Sequence, residues 1–307
     1  MKGFLTTMKK ELPKISIVTA CLNHGEYLED AILSVMQQEY PNFEHIVVDG
    51  VSKDDTLDVL RRYPHIRWIS EPDRGQSDAL NKGFRMASGD LVGWLNADEY
   101  YLPGALAAVA EVATEEPKAD VYYGDYIFVD KDGRLQKANT AHHFDYRILL
   151  YYGCFVCTVT TFFRREVFEE NLLLDEEYRV VMDFEYFVRL AAAGKTFQYI
   201  DRLLGAFRWQ GTNASLQLDK RRKERIRVQK AWSALKAPET VYDTLAKVYR
   251  AKRVAVKMMN GSYPKEWRVL RQAPKMTLWF RTEEALDTCR RLIQDVPPQA
   301  MGASPHA

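Results

Sequence analysis

The sequence predicts an α/β protein, with a mostly parallel sheet flanked by helices and a helical C-terminal extension. Short apolar, β-branched runs alternate with helical patterns through the first half of the chain. This alternation is typical of a parallel sheet covered by its crossover helices. From about residue 219 the pattern becomes helical and basic. The 307 residues, 47% of them hydrophobic, suffice for one large domain and a smaller part.

The individual elements follow from these patterns. The run Ile15–Thr19 is continuously apolar, as expected of a strand buried on both faces. In chain order we predict strands over 15–19, 45–48, 67–70, 91–95, 121–129, 159–163 and 203–209. Helices are predicted over 26–38, 54–61, 76–87 and 183–193, and then from about 219 to 294, before a disordered tail.

The charge of the chain is divided between its two parts. Residues 1–215 carry 23 basic and 33 acidic side chains (net −10), whereas 216–307 carry 20 and 9 (net +11), so the total is only +1. We predict a catalytic domain over 1–215 and a basic helical region over 216–307. The near-neutral total argues against a nucleic-acid coat protein.

Several classes of protein are excluded or disfavoured. No apolar run reaches the roughly 18 residues of a membrane span, and the first residues lack the apolar core of a secretory signal, so we expect a cytoplasmic protein. Four cysteines are too few for a disulfide scaffold. Cys154 and Cys157 are expected to pack rather than to bind metal. Dinucleotide, P-loop, zinc-protease and hydrolase-elbow motifs are absent from the sequence.

Polar clusters follow four of the predicted strands, where ligands bind in parallel α/β sheets. They occupy residues 19–23, 49–54, 71–78 and 96–99. Each alone could be a helix cap, but four at one sheet edge indicate a binding site. In the fourth, Asp98 and Glu99 offer oxygen ligands for Mg²⁺ or Mn²⁺, which phosphates of a substrate would complete. A solvated acidic turn is the alternative for that cluster.

Longer segments resemble family 2 glycosyltransferases of the GT-A fold. Residues 13–56, beginning PKISIVTACLN, resemble the opening of that family, and residues 71–99, ending WLNADE, resemble the segment up to its D-x-D position. Residues 162–170 (FFRREVFEE) and 181–190 (VMDFEYFVRL) resemble its acceptor-side and catalytic-base segments. The resemblance covers about residues 13 to 215.

The resemblance implies roles for particular residues. Thr19 and Asn23 would lie beside the nucleotide, and Asp49 would bind the pyrimidine base. Arg74, Gly75 and Asp78 would lie near the base and the diphosphate. Asn96, Ala97 and Asp98 would occupy the D-x-D position, with Asp98 as the metal ligand and Asn96 nearer the ribose.

Asp183 matches the general base that deprotonates the acceptor hydroxyl. A single base opposite the leaving group would give one displacement with inversion. The alternative for Asp183 is a carboxylate favoured by the helix dipole, and Glu185 is the fallback candidate for the base.

The chain departs from the family pattern at three positions. Asn96 stands at the first D-x-D position, Glu99 follows where many relatives have a second Asp, and Gln210 stands where many relatives carry a metal- or diphosphate-binding His. We therefore expect a weak metal site, because a neutral amide is a poor metal ligand. The processive Q-x-x-R-W motif is absent, which favours the transfer of a single sugar.

The segment 220–230 carries seven basic residues and one acidic residue. It is either a solvated helix face, an oligomer contact, or a docking site for an anionic membrane surface near a lipid-linked acceptor. In the last case the protein would be peripheral at the inner face of the membrane.

The predicted activity is the metal-assisted transfer of one sugar from a nucleotide-diphosphate donor to a glycan or lipid-linked acceptor. We place a UDP-sugar first and a dTDP-sugar second. Two alternatives remain. One is a catalytically impaired nucleotide-sugar-binding module, and the other is a sugar-phosphate nucleotidyltransferase, which would need a Gly-rich basic loop after the first strand.

Overall fold

The apolar runs of the first half form the centre of one sheet. A computed structural model describes residues 12–211, 213–272, 278–284 and 286. The strands are β1 (Ile15–Cys21), β2 (Phe43–Asp49), β3 (Arg67–Ser70), β4 (Leu91–Trp94), β5 (Tyr100–Tyr101), β6 (Val121–Asp130), β7 (Leu135–Asn139), β8 (Thr161–Arg164) and β9 (Phe197–Trp209).

Helices occupy the connections and the C-terminal region. They are α1 (Gly25–Met36), α2 (Thr56–Arg61), α3 (Gln76–Met86), α4 (Ala105–Glu115), α5 (Glu166–Glu169), α6 (Met182–Ala192), α7 (Leu218–Trp232), α8 (Glu239–Met259) and α9 (Ser262–Gln272). Among the helices of the described ranges, none has both the length and the apolar character needed to cross a membrane.

The strand order is β3-β2-β1-β4-β8-β6-β9-β5, and β7 pairs with β6 outside this path. β1 to β4 pair in parallel, and β9 is parallel to β6. β8 runs antiparallel to both β4 and β6, so it joins the two parallel parts, and β5 and β7 are also antiparallel to their partners. The predicted α/β class with flanking helices and a helical C-terminal part is confirmed, and the sheet is mixed.

The alternation of side chains along β1 explains why helices cover both faces. Val18 and Ala20 belong to a core cluster shared with α3 and α6, whereas Ile15 and Ile17 belong to a cluster shared with α1 and α4. Helix α3 lies so close to β1 that a Cβ atom on Gly83 would come within 2.3 Å of Val18 Cγ1. The glycine therefore permits this close packing.

Three of the predicted elements differ from those in the structure. Thr158–Thr160 is a 3₁₀ turn, not the start of a strand, because the Thr160 and Thr161 hydroxyls donate to the Cys157 carbonyl at 3.0 and 2.7 Å. β9 begins at Phe197, where it pairs with β6, well before the predicted start at 203. Over residues 218–272, the predicted C-terminal helical pattern is three helices with breaks at 233–238 and 260–261, and most of its predicted continuation to 294 lies outside the described residues. The predicted disordered tail lies outside the described residues.

The C-terminal helices are joined to the sheet by polar contacts. The Glu266 carboxylate of α9 accepts the Thr140 backbone N–H at 2.8 Å and pairs with Lys257 of α8. Lys265 donates to the buried Asp125 of β6 at 2.5 Å. The boundary proposed after residue 215 stays a prediction.

Candidate active site

A cavity of about 410 Å³ opens at the carboxyl ends of β1 and β4. Its wall combines six segments that are distant in sequence: the β1–α1 loop, the β3–α3 loop with the start of α3, the residues after β4, the 3₁₀ turn at 158, the start of α6 and the loop after β9. The chemically distinctive lining residues are His24, Asn96, Asp98, Glu99, Asp183 and Gln210.

The residues after β4 are held in one orientation by their neighbours. Asn96 Oδ1 accepts hydrogen bonds from Trp94 Nε1 at 2.9 Å and from Gln76 Nε2 at 2.8 Å. Asn96 Nδ2 donates to Glu99 Oε2 at 3.0 Å. Because both ends of the Asn96 amide are engaged, this side chain is preorganised at the cavity wall, next to the buried Ala97.

Asp98 lies beside the loop that follows β9. Its Oδ2 accepts from Gln210 Nε2 at 2.5 Å, and Asn213 holds that loop by accepting the Gln210 backbone N–H at 2.9 Å. Burial raises the pKa of Asp98, while the charge of His24 and then that of Arg208 act in the opposite direction. Burial and the nearby Asp98 charge raise the pKa of Glu99 well above its usual range.

The Asp98 carboxylate is the candidate metal ligand. No group of three His, Cys, Asp or Glu side chains in the described part of the chain could hold a metal ion by itself. Mg²⁺ and Mn²⁺ keep several waters and are commonly completed by substrate phosphates. A single carboxylate on a cavity wall fits that mode of binding, and Asp98 is placed for it.

Asp183 enters the cavity from the first turn of α6. Its Oδ1 accepts the Phe184 backbone N–H at 2.7 Å, and burial raises the pKa of its carboxyl group. The fallback candidate Glu185 is engaged elsewhere, because its two carboxylate oxygens accept from Arg189 Nε and Nη2 at 2.8 and 3.1 Å. Of the two carboxylates, only Asp183 lines the cavity.

Five residues that the resemblance assigns to the nucleotide do not line the cavity; they are Thr19, Asn23, Asp49, Arg74 and Asp78. The buried Thr19 hydroxyl is 3.0 Å from His45 Nε2. Asn23 Oδ1 accepts the Lys53 backbone N–H at 2.7 Å. Asp49 accepts the Ser70 hydroxyl at 2.6 Å as well as N–H groups of its own turn. Thr19 connects the strands β1 and β2, whereas Asn23 and Asp49 connect the carboxyl ends of β1, β2 and β3. Their contacts with a nucleotide stay predictions.

The 71–78 cluster forms a turn that leads into α3. The Asp78 carboxylate accepts the Arg74 backbone N–H at 3.0 Å, and the exposed Arg74 guanidinium pairs with Asp78 at 3.3 Å and Glu176 at 2.8 Å. Gly75 lines the cavity with φ at +113°, and a Cβ there would come within 1.9 Å of Arg179 Nη1. The positive φ favours glycine at the point where the backbone reaches the site.

The comparison with protein families identifies the family of the chain. Residues 16–172, just over half of the chain, match the model of glycosyl transferase family 2. The chain belongs to this family.

Curated relatives and solved structures agree with this assignment. The family 2 chain is 32% identical over 183 residues to a PGL/p-HBAD biosynthesis glycosyltransferase of Mycobacterium bovis, covering 58% of this chain and 69% of that one. The match covers about two thirds of the length of this relative and of an uncharacterized glycosyltransferase of Nostoc sp..

Two solved structures share the fold. One is Staphylococcus aureus TarS 1–349 in complex with UDP-GlcNAc, with TM-score 0.58 and 17% identity over 94% of this chain and 82% of that one. The other is the mannosyltransferase PcManGT of Pyrobaculum calidifontis in complex with GDP-Man and Mn²⁺, with TM-score 0.57 and 17% identity over 93% and 86%. The GT-A fold expected of the family 2 chain is confirmed.

Some lining residues of the family 2 chain were not singled out from its sequence. His24 directly follows the first polar cluster and could have been included with it, but Thr158 and Phe207 carry no sequence signal for a site. The free thiols Cys154 and Cys157 are partly buried against hydrophobic clusters. This packing agrees with the role expected of them.

The basic segment of the family 2 chain lies on α7, and much of its charge is paired. Arg222 and Arg225 bind Asp243 at 2.7 and 3.0 Å, Lys230 binds Glu239 at 3.2 Å, and Arg227 pairs with Glu177. Four of the seven cations thus bind acidic groups of this protein, and this pairing leaves less charge for a membrane surface.

Proposed function

We propose that this protein is an inverting glycosyltransferase that transfers one sugar from a nucleotide-diphosphate donor to a hydroxyl group of a glycan or lipid-linked acceptor. The observation that carries the proposal is that Asp98 and Asp183 line one cavity although Asp98 lies in the segment after β4 and Asp183 lies at the start of α6. Asp98 can bind a metal ion at the diphosphate of the donor, and Asp183 can accept the proton of the acceptor hydroxyl.

The proposed chemistry is a single displacement. The Asp183 carboxylate accepts the proton of the acceptor hydroxyl while that oxygen bonds to the anomeric carbon of the sugar. The bond from the anomeric carbon to the phosphate oxygen breaks, and the nucleotide diphosphate leaves with the electron pair. Attack from the face opposite the leaving group inverts the anomeric centre. The raised pKa of Asp183 suits this role, because a base with a higher pKa accepts a proton more readily.

Mg²⁺ or Mn²⁺, when bound, would stabilise the negative charge that develops on the diphosphate. Asp98 is the proposed protein ligand. Its hydrogen bond to Gln210 must give way or rearrange for a cation to bind, so we expect weak metal affinity in the absence of the donor.

A UDP-sugar is the first choice of donor and a dTDP-sugar the second. TarS, a neighbour in fold, is described in complex with UDP-GlcNAc, whereas PcManGT is described with GDP-Man and Mn²⁺. A screen of UDP-, dTDP- and GDP-sugars for nucleotide release identifies the donor. No release and no UDP binding in calorimetry with Mn²⁺ would overturn the proposal.

The base assignment is tested by Asp183→Asn, which keeps the size of the side chain and removes its ability to accept a proton. We expect transfer to fall by at least 10²-fold with UDP binding retained. Glu177→Gln is the matched control, because Glu177 lies just before α6 on the surface, paired with Arg227. If both variants kept full activity, Asp183 would not be the base.

A catalytically impaired binding module is the second candidate, and the contact between Gln210 and Asp98 favours it. It predicts UDP binding with no donor hydrolysis or transfer in the wild-type protein, and no further change in Asp183→Asn. Activity with any of the donors rejects it.

A further inference from the structure

Helix α8 has an apolar face that points away from the protein. Its inward side carries the buried Tyr242 and Lys257. On the opposite side, exposed residues that are small or apolar recur every three or four positions; they are Thr244, Val248, Ala251, Ala255 and Met258. Val248 is 56% exposed and Met258 68%. A helix that is apolar on its solvent side as well as its core side is suited to a further partner.

The apolar face continues past the turn at 260–261 into α9. Met259, Tyr263 and Trp267 are exposed, and Trp267 is 57% exposed with the Arg271 guanidinium 3.5 Å from its ring centroid. We call the outward residues of 244–271 the α8–α9 surface. It combines aliphatic side chains, methionines and aromatic rings, which is the composition of helices that lie in a membrane interface.

The charge around this surface has one sign. Residues 244–272 contain eight basic residues and a single acidic one, Glu266, and Glu266 is turned inward against Lys257 and Thr140. Lys252 and Lys265 are likewise paired with acidic groups of the catalytic part.

Three outward cations of the α8–α9 surface lack an acidic partner in the part of the chain that the structure describes. Within the described ranges, Lys247, Arg250 and Arg268 have no acidic partner, whereas Lys252, Lys257 and Lys265 do. An apolar face rimmed by free cations is complementary to an anionic lipid surface. A second copy of the chain would bring like charges together across a two-fold contact, and a nucleic acid would leave the apolar side chains in water.

We propose that the α8–α9 surface docks on an anionic phospholipid bilayer. The contact differs from segment 220–230 on α7, where four of the seven cations are bound to acidic groups of this protein. The proposal does not depend on the proposed transferase activity, because it concerns adsorption of the whole chain.

The first test is sedimentation of the full chain with vesicles of phosphatidylcholine alone or mixed with phosphatidylglycerol. We expect binding to the anionic vesicles only, weakened by salt. Each outward cation should contribute about fivefold to the partition coefficient, so Lys247→Glu with Arg268→Glu should weaken binding more than tenfold. Equal binding to both kinds of vesicle, or none to either, would overturn the proposal.

Matched variants distinguish this surface from the rest of the region. Val248→Glu with Met258→Glu should abolish binding, whereas Leu218→Glu with Leu235→Glu adds the same charge at exposed apolar positions elsewhere and should bind nearly as well as the wild type. Lys220→Glu with Lys223→Glu should also retain most binding. Loss of binding in that last variant, with Val248→Glu and Met258→Glu unaffected, would place the membrane contact on α7 and reject the proposal.

Two further measurements complete the test: the depth of Trp267 in the bilayer and the oligomeric state of the protein. Brominated lipids should quench the fluorescence of wild-type protein, and Trp267→Phe should lose much of that quenching. All variants are compared by circular dichroism and by nucleotide release, so that a folding defect is recognised. If Val248→Glu with Met258→Glu instead converted a dimer into a monomer in ultracentrifugation, the surface would be a self-association interface and the proposal would be wrong.

Discussion

A buried carboxylate below the active site allows a prediction about stability. Asp30 of α1 binds Arg208 of β9 at 2.5 Å, and the two side chains are 5% and 2% exposed. Arg208 also donates to the backbone carbonyl of Asp98 at 2.9 Å. The pair therefore joins a helix, a strand and the segment that carries the candidate metal ligand.

Replacing Asp30 by Ala would leave the Arg208 guanidinium buried with carbonyl partners and no counter-charge. Removing one partner of a buried ion pair costs about 3–5 kcal/mol, mainly because the remaining charge stays desolvated. Arg281, the second partner of Asp30, is 43% exposed and can be hydrated instead, so it should add little to this cost.

The measurement is the free energy of unfolding from urea titration, followed by circular dichroism. Asp58→Ala is the matched control, since Asp58 and Arg61 form a pair that is 76% and 61% exposed, for which a loss of at most about 1 kcal/mol is expected. If Asp30→Ala and Asp58→Ala lowered stability equally, the reasoning from burial would be refuted.

Three further predictions concern catalysis and pH. Glu224 of α7 accepts the Val180 backbone N–H at 2.9 Å just before α6, so Glu224→Ala should displace Asp183. We expect kcat to fall more than tenfold with the donor KM little changed and with partial rescue by Gln; a change in KM alone would contradict this. Because burial raises the pKa of Asp183, kcat/KM should decline on acidification above the pH of about 4 at which an exposed Asp titrates; a pH profile with no decline above that value would argue against it. Burial lowers the pKa of His45 to about 3 and of His142 to about 4, so below about pH 6.5 only the unfolded imidazoles bind protons. Stability should then fall on acidification by up to about 1.4 kcal/mol per pH unit for each histidine, and unfolding midpoints at pH 7 and 5 should show a smaller change in His142→Asn.

Much of the fold was predictable because its signals are local. The continuous apolar run at Ile15 and the helical pattern that starts near Gln76 need no distant partner to be recognised. The antiparallel insertion of β8 was not predictable, since its position depends on pairing with both β4 and β6. The turn at Thr158–Thr160 was not predictable either, because it depends on hydrogen bonds from threonine hydroxyl groups to the Cys157 backbone carbonyl.

The candidate site divides in the same way. The carboxylates Asp98 and Asp183 could be chosen from the sequence, because strand ends and a family resemblance pointed to them. The hydrogen bond from Gln210 to Asp98 joins residues 112 positions apart, and only the folded chain brings them together. The same is true of Glu185, which the structure removes from the cavity through its pair with Arg189.

By itself, the sequence determined the α/β class, the family resemblance and the opposite charges of the two parts of the chain, because composition and periodicity are properties of neighbouring residues. Only the tertiary structure decided which of the C-terminal cations remain free. The basic run on α7 has the highest local charge, yet α8 and the loop before α6 supply acidic partners to most of it. The outward cations of α8 and α9 have no such neighbours within the described ranges. Glu239 and Asp243 of α8 pair with α7, and Glu266 of α9 is turned toward the sheet.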